Sequence, residues 1–121
     1  MLGMSSELKN KILKHVTGVE SYKPSIDIAV ALYVGGNELT SDTGYKRQLV
    51  MFKNAIDGEV VNKGEIIFPI ASKMWGVIDE VAIVDSDNKI LFMAKTSQNK
   101  TIERGDQLRF EDGALSIKID G

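Results

Sequence analysis

Cysteine is absent from the 121 residues, histidine and tryptophan occur once each, and proline occurs twice. Without cysteine there is no disulfide scaffold, no iron–sulfur cluster, no thiolate zinc site and no cysteine nucleophile. The compartment stays open, because a cysteine-free chain folds in either redox setting. A lone His15 excludes a His-rich metal centre and a His–His acid–base pair. An excess of one charge is also missing: seventeen acids face fifteen bases, for a formal net charge of −2. That balance argues against partners held by bulk charge, so neither nucleic acid nor a membrane is expected as a partner. Long apolar runs are lacking. The longest, residues 26–34, is interrupted by Asp27 and falls well short of the ~20 residues of a transmembrane helix. The start, Met1-Leu2-Gly3-Met4-Ser5-Ser6-Glu7, has neither the basic beginning nor the apolar stretch of a signal peptide. Synthesis in the cytoplasm without an export signal is the expectation.

What is present is enough apolar residue (43%) for one core, and a chain too short for two. Residues 5–17 carry the one helix pattern. Ser5 or Ser6 can cap it, Glu7 lies in the first turn, and Gly18 can end it in a left-handed conformation. Leu8, Ile12, Leu13 and Val16 form its single apolar stripe. A helix this short needs a surface to dock on, either its own β domain or a neighbouring subunit. Pro24 closes the connector that follows. From residue 26 the period changes to two, as in Ile26, Ile28, Val30, Leu32 and Val34. Roughly seven to nine short strands follow, separated by turn signals such as Asp57-Gly58 and Ser86-Asp87-Asn88. Residues 107–111 and 114–119 read as a terminal hairpin, Leu108 and Phe110 against Leu115 and Ile117. The expected fold is mainly β, an antiparallel β-sandwich or flattened barrel with one N-terminal α-helix. Residues 1–25 supply helix and connector, and 26–121 supply the β-sandwich domain. Removing residues 1–17 is expected to leave that domain folded.

Candidate chemistry is thin. Asp85-Ser86-Asp87-Asn88 resembles the start of a calcium loop, but the positions that need Gly and Glu hold Ile90 and Thr96. Hairpin-turn chemistry explains the acids instead. Gly35-Gly36 lacks the Lys-Ser/Thr of a phosphate loop. Asp79 and Glu80 are adjacent on a strand and point to opposite faces. Arg104-Gly105-Asp106 is a turn before it is an adhesion tripeptide. His15 has no orienting acid or nucleophile in view. Trp75 before Gly76 reads as a core anchor rather than a sugar-stacking platform. No catalytic, metal or cofactor-binding residue is therefore assigned, and no cofactor is expected. The helix stripe of Leu8, Ile12, Leu13 and Val16 is the candidate assembly interface.

The order of several segments adds a resemblance. They run from Ala31-Leu32-Tyr33-Val34 through Asn37-Glu38-Leu39 and Gly44-Tyr45-Lys46-Arg47-Gln48 to Phe52. Asn62, Ile66-Ile67-Phe68-Pro69, Trp75-Gly76-Val77-Ile78 and Val81-Ala82-Ile83-Val84-Asp85 follow. Lys100-Thr101-Ile102, Gly105-Asp106-Gln107-Leu108-Arg109-Phe110 and Gly113-Ala114-Leu115-Ser116-Ile117 complete the set. In this order and spacing, over about residues 7–119, the chain resembles bacteriophage tail fibre or minor tail structural proteins. Gly35-Gly36 stands where relatives carry a polar, Pro-containing loop. The resemblance implies a non-enzymatic virion protein of the tail, baseplate or tail-fibre attachment, with copies of itself and other virion proteins as partners. Two alternatives stay open: a carbohydrate- or host-receptor-binding module of a tail fibre that reads a host surface glycan, and a head decoration protein.

Overall fold

A computed structural model describes residues 2–119, with the side chains at 97–99 outside that description. The protein is mainly β and antiparallel, with a single α-helix, α1 (Ser6–Val16), near the start. The strands in chain order are β1 (Gly3–Met4), β2 (Ala29–Val34), β3 (Asn37–Glu38), β4 (Gln48–Leu49), β5 (Glu59–Val61) and β6 (Ile66–Ile67). They continue with β7 (Gly76–Val84), β8 (Ile90–Ile102), β9 (Arg109–Phe110) and β10 (Ser116–Lys118).

The first layer is a sheet in the order β1-β8-β7-β2-β3, with β4 sharing the outer edge of β2. Its long members are the segments whose period-two pattern is clearest. On β2, Val30 and Leu32 face the main core while Ala31 and Tyr33 join a smaller cluster with Ala82 and Val84 on the opposite face. The second layer is an interrupted ribbon. β5 pairs with β10 (Val61 opposite Ser116), and β6 pairs with β9 (Ile66 opposite Phe110).

This pairing corrects the expected hairpin of Leu108 and Phe110 against Leu115 and Ile117. The turn at Glu111–Ala114 separates β9 from β10, and each pairs with the 59–67 segment rather than with the other. The physical reason lies in Asn62. Its side chain is fully buried and takes the place of a ladder rung: Nδ2 donates to the carbonyls of Gly64 (2.8 Å) and Glu111 (3.0 Å), and Oδ1 accepts from Leu115 N–H (2.8 Å). Buried main-chain groups must be paired, and here one amide pairs three of them.

The layers join at both edges. Lys53 N–H donates to the Val61 carbonyl (2.9 Å) and Lys63 N–H to the Met51 carbonyl (2.8 Å), which carries β4 into the ribbon. At the other edge Leu2 N–H donates to the Ser116 carbonyl (3.0 Å), and β1 then pairs with β8. Leu2 is itself buried in the main core. Truncation of residues 1–17 would therefore remove a core side chain and an edge strand.

Aromatic side chains fill the centre. Tyr45 stacks on Phe68 (6.2 Å, 13°) and meets Trp75 edge-on (6.0 Å, 89°), and Phe68 meets Phe110 at 73°. Gly44 makes this approach possible. At φ +86° it is left-handed, and a Cβ there would lie 3.0 Å from Ser72 Oγ and 3.2 Å from the Ile70 carbonyl.

The sequence also suggests a break at Thr96–Asn99, between two strands. The structure has one continuous strand with a bulge, in which residues 96–99 of β8 stand opposite Asp79 alone on β7.

Candidate assembly surface

The helix starts where β1 ends. Ser5 N–H donates to the Leu91 carbonyl (2.8 Å), and Ser5 Oγ caps the helix by accepting from Leu8 N–H (3.2 Å). Glu7 and Lys11 form an i,i+4 pair at 3.4 Å. Gly18 ends it at φ +78°. The connector then folds back: Tyr22 N–H donates to His15 Nδ1 (3.1 Å), and Lys11 Nζ lies 5.6 Å from the centre of the Tyr22 ring. His15 thus holds a loop in place.

Burial divides the apolar stripe. Leu8 is 5% exposed and Ile12 half-buried, whereas Leu13 and Val16 are 62% and 75% exposed. Lys9 lies between those two on the helix wheel and makes no ion pair among the described residues. The first turn is anchored and the last is an open apolar face. A second apolar surface lies where the connector enters the sheet. Ile26 (95% exposed), Leu49 and Met51 line a groove of about 320 Å³ beside Asp27 and Glu65.

The polar groups elsewhere are engaged in holding the framework. On the outer edge of β2 the Leu32 carbonyl accepts from Leu39 N–H (3.1 Å), but β3 and β4 leave the Leu32 N–H without a main-chain partner. Tyr45 Oη fills the gap, accepting from Leu32 N–H (3.2 Å) and donating to Glu38 Oε2 (2.6 Å). Arg47 grips Glu38 with two nitrogens, Nε and Nη2, each at 2.7 Å, and donates from Nη1 to Asn88 Oδ1 (2.6 Å). These bonds link β3 to the β7–β8 turn. Hydrogen bonds from Arg47 hold the Glu38 carboxyl below its ordinary range against the opposing effect of burial, and Tyr45 adds to the lowering. Burial, with the Glu38 bond, pushes the Tyr45 phenol up.

This network has a pH signature. A carboxyl whose folded value is depressed binds fewer protons folded than unfolded, so stability rises with pH through that window and falls as acid titrates the folded form. Urea midpoints should therefore decline below the ordinary glutamate value of 4.5. The decline should be shallower in Glu38→Gln, and what remains comes partly from Asp112, held low by Lys53. An identical slope in the variant would contradict this assignment.

Other motifs are structural. Asp85 Oδ1 accepts from Asp87 N–H and Lys89 N–H, both 2.9 Å, which closes the turn. Asp106 Oδ2 accepts from Glu103 N–H (2.9 Å) within the Arg104-Gly105-Asp106 turn. Trp75 is buried and donates from Nε1 to the Thr43 carbonyl (2.9 Å). Tyr45 is buried too, so neither ring offers a stacking face to a sugar. Asp79 accepts at one oxygen from Gly35 N–H (3.1 Å), while Oδ1 is buried without a partner among the described residues. Among the described residues no three His, Cys, Asp or Glu side chains group to hold a metal ion. Among the described residues no helix is long and apolar enough to cross a membrane.

A comparison with family models places residues 3–118 on the podophage GP4 fiber I protein gp80 model. The chain belongs to that family. It is a phage fibre-family protein, with a place in the virion and other virion proteins as partners. No curated protein matches it. Several residues that carry the tail-fibre resemblance in the sequence build the framework just described. Glu38, Tyr45 and Arg47 form the edge network, Asn62 replaces a ladder rung, and Phe68 and Trp75 pack around Tyr45. Two features carry no sequence signal. The Leu2 edge strand is too short to show a period, and the cleft between β8 and the ribbon is assembled from distant segments.

Proposed function

We propose that this fibre-family protein is a non-enzymatic structural component that works by fitting against copies of itself and other virion proteins. The last turn of α1 is the principal contact. The observation that carries this reading is the divided stripe, Leu8 buried and Leu13 and Val16 open, on a helix fixed at its start by Ser5 and β1. Covering two large aliphatic side chains is worth roughly 1.5–3 kcal/mol each when complete, and symmetry multiplies modest contacts into avidity. The tail-fibre attachment or baseplate is the place in the particle that suits such a contact.

The test is substitution, since truncation would disturb Leu2. Leu13→Lys/Val16→Lys keeps helix propensity and places cations at the favoured helix end. Supplied as the sole copy during infection, it should keep its thermal midpoint and be lost from purified particles, as measured by quantitative mass spectrometry. Normal incorporation would overturn the reading.

A further inference from the structure

Two surface features on opposite stretches of the β5–β10 ribbon are opposite in charge and share an apolar centre. The first is a tip. Residues Ile56 and Glu59 exchange both backbone hydrogen bonds (2.9 and 3.0 Å) around Asp57-Gly58, whose φ angles of +52° and +75° make a tight hairpin turn with both central residues left-handed. Ile119 N–H braces it by donating to the Gly58 carbonyl (2.9 Å). Ile56 stands out of this turn at 73% exposure, flanked by Asp57 and Glu59. Neither acid makes an ion pair among the described residues, although Lys118 lies across the ladder from Glu59. A large aliphatic side chain on the end of a rigid acidic turn does nothing for the fold that carries it.

The second feature is a cleft of about 290 Å³ between β8 and the ribbon, open to solvent on one side. Leu2, Val81, Leu108 and Leu115 form its apolar floor. Lys100, which stands opposite the core residue Ile78, and Arg109 stand at it, and among the described residues no Asp or Glu lines it, in a protein whose net charge is −2. Arg109 reaches Glu65 at 3.5 Å. Lys100 makes no ion pair among the described residues.

We propose that the Ile56 tip of one copy seats in the β8–ribbon cleft of a second copy, with Asp57 and Glu59 meeting Lys100 and Arg109. An aliphatic anchor enters an aliphatic floor, and a doubly acidic collar meets a basic rim. Such complementarity fixes register and excludes like-charged partners. The tip cannot fill its own cleft. Ser116 at the near wall and the Ile119 brace are separated along a hydrogen-bonded ladder by ~10 Å at ~3.3 Å per residue, and the ladder holds the turn pointing onward. The preformed turn loses little freedom on seating. The inference rests on the self-assembly part of the proposed function but uses a surface distinct from the helix.

The absence of cysteine gives a clean test. Ala55→Cys and Ala114→Cys are both exposed substitutions, Ala55 leaves the Ile56 anchor in place, and Ala114 lies at the cleft. The two single variants of the full chain are mixed and mildly oxidised. The 55–114 disulfide should form at least tenfold faster than either like pair. Asp57→Asn/Glu59→Gln in the tip chain keeps the turn, and Lys100→Gln in the cleft chain keeps the strand. Either change should cut the rate about tenfold, and high salt should do the same. A 55–114 rate no greater than the like pairs, or one indifferent to these three charges, would overturn the proposal. If that happens while Leu13→Lys/Val16→Lys still blocks incorporation, the helix reading stands and this one fails. If the disulfide forms as expected while the helix variant enters particles normally, the outcome is the reverse.

Discussion

Asn62→Leu is expected to destabilise the fold by about 3–4 kcal/mol, since it leaves the Leu115 N–H and the Gly64 and Glu111 carbonyls without their partner. Leucine has the volume but none of the bonds. Each orphaned buried group costs roughly 1–3 kcal/mol, and the two carbonyls, part-buried, recover some of that from water. The change is a large share of the 5–15 kcal/mol typical of a domain. Asn62→Asp gives a sharper signature. The carboxylate still accepts from Leu115 N–H but faces two carbonyls with negative charge. Its folded pKa must rise, so the variant binds more protons folded than unfolded and gains stability as pH falls. Wild type is expected to have the opposite slope in acid, from Glu38 and in part Asp112. Urea denaturation across the acid range separates the two signs, and an Asn62→Asp slope of the wild-type sign would contradict the role given to Asn62.

Phe68→Ala is the second large effect. The ring is fully buried, stacked on Tyr45 and edge-on to Phe110, in the middle of the contact between sheet and ribbon. Truncating such a ring costs about 3–5 kcal/mol, from lost transfer free energy and the cavity left behind. The backbone bonds on either side, Phe68 N–H to the Leu108 carbonyl (3.0 Å) and Gln107 Nε2 to the Phe68 carbonyl (3.0 Å), do not need the ring. The variant should therefore keep its β signal at low temperature and melt roughly 10–20 °C lower. Unchanged melting would mean that the aromatic centre does not hold the layers together.

How far the sequence discloses this structure depends on how local each cause is. β2 and β7 show in the period of Val30, Leu32, Val81 and Ile83, because each strand buries alternate residues on the main core. The Asp57-Gly58 turn shows because left-handed backbone selects those residue types. The helix cap and stripe show for the same reason. The pairing of β9 and β10 does not show, because it is set by Asn62, about fifty residues away, and a buried amide looks like any loop asparagine until its partners are in place. The bulge opposite Asp79 reads in sequence as a polar gap, and only the register makes it an insertion. The stripe of Leu8, Ile12, Leu13 and Val16 is legible as a candidate surface. Its division into an anchored half and an open half depends on where β1 sets the helix, and that has no signature in composition or period.

The division also separates what maintains the fold from what is available for assembly. Glu38, Tyr45, Arg47, Asn62 and Trp75 are occupied by internal partners. Leu13, Val16 and Ile56 have no such occupation and stand exposed on rigid elements. Contacts to other virion subunits are the use we propose for such residues in this fibre-family protein.

The most direct measurement is a competition inside one infection, with wild-type and Leu13→Lys/Val16→Lys chains produced in equal amounts and both counted in purified particles. Exclusion of the variant from particles, with both chains equally folded and abundant in the cell, is the predicted result. Equal representation in the particle would contradict the claim that the open face of the helix is where this protein meets its neighbours.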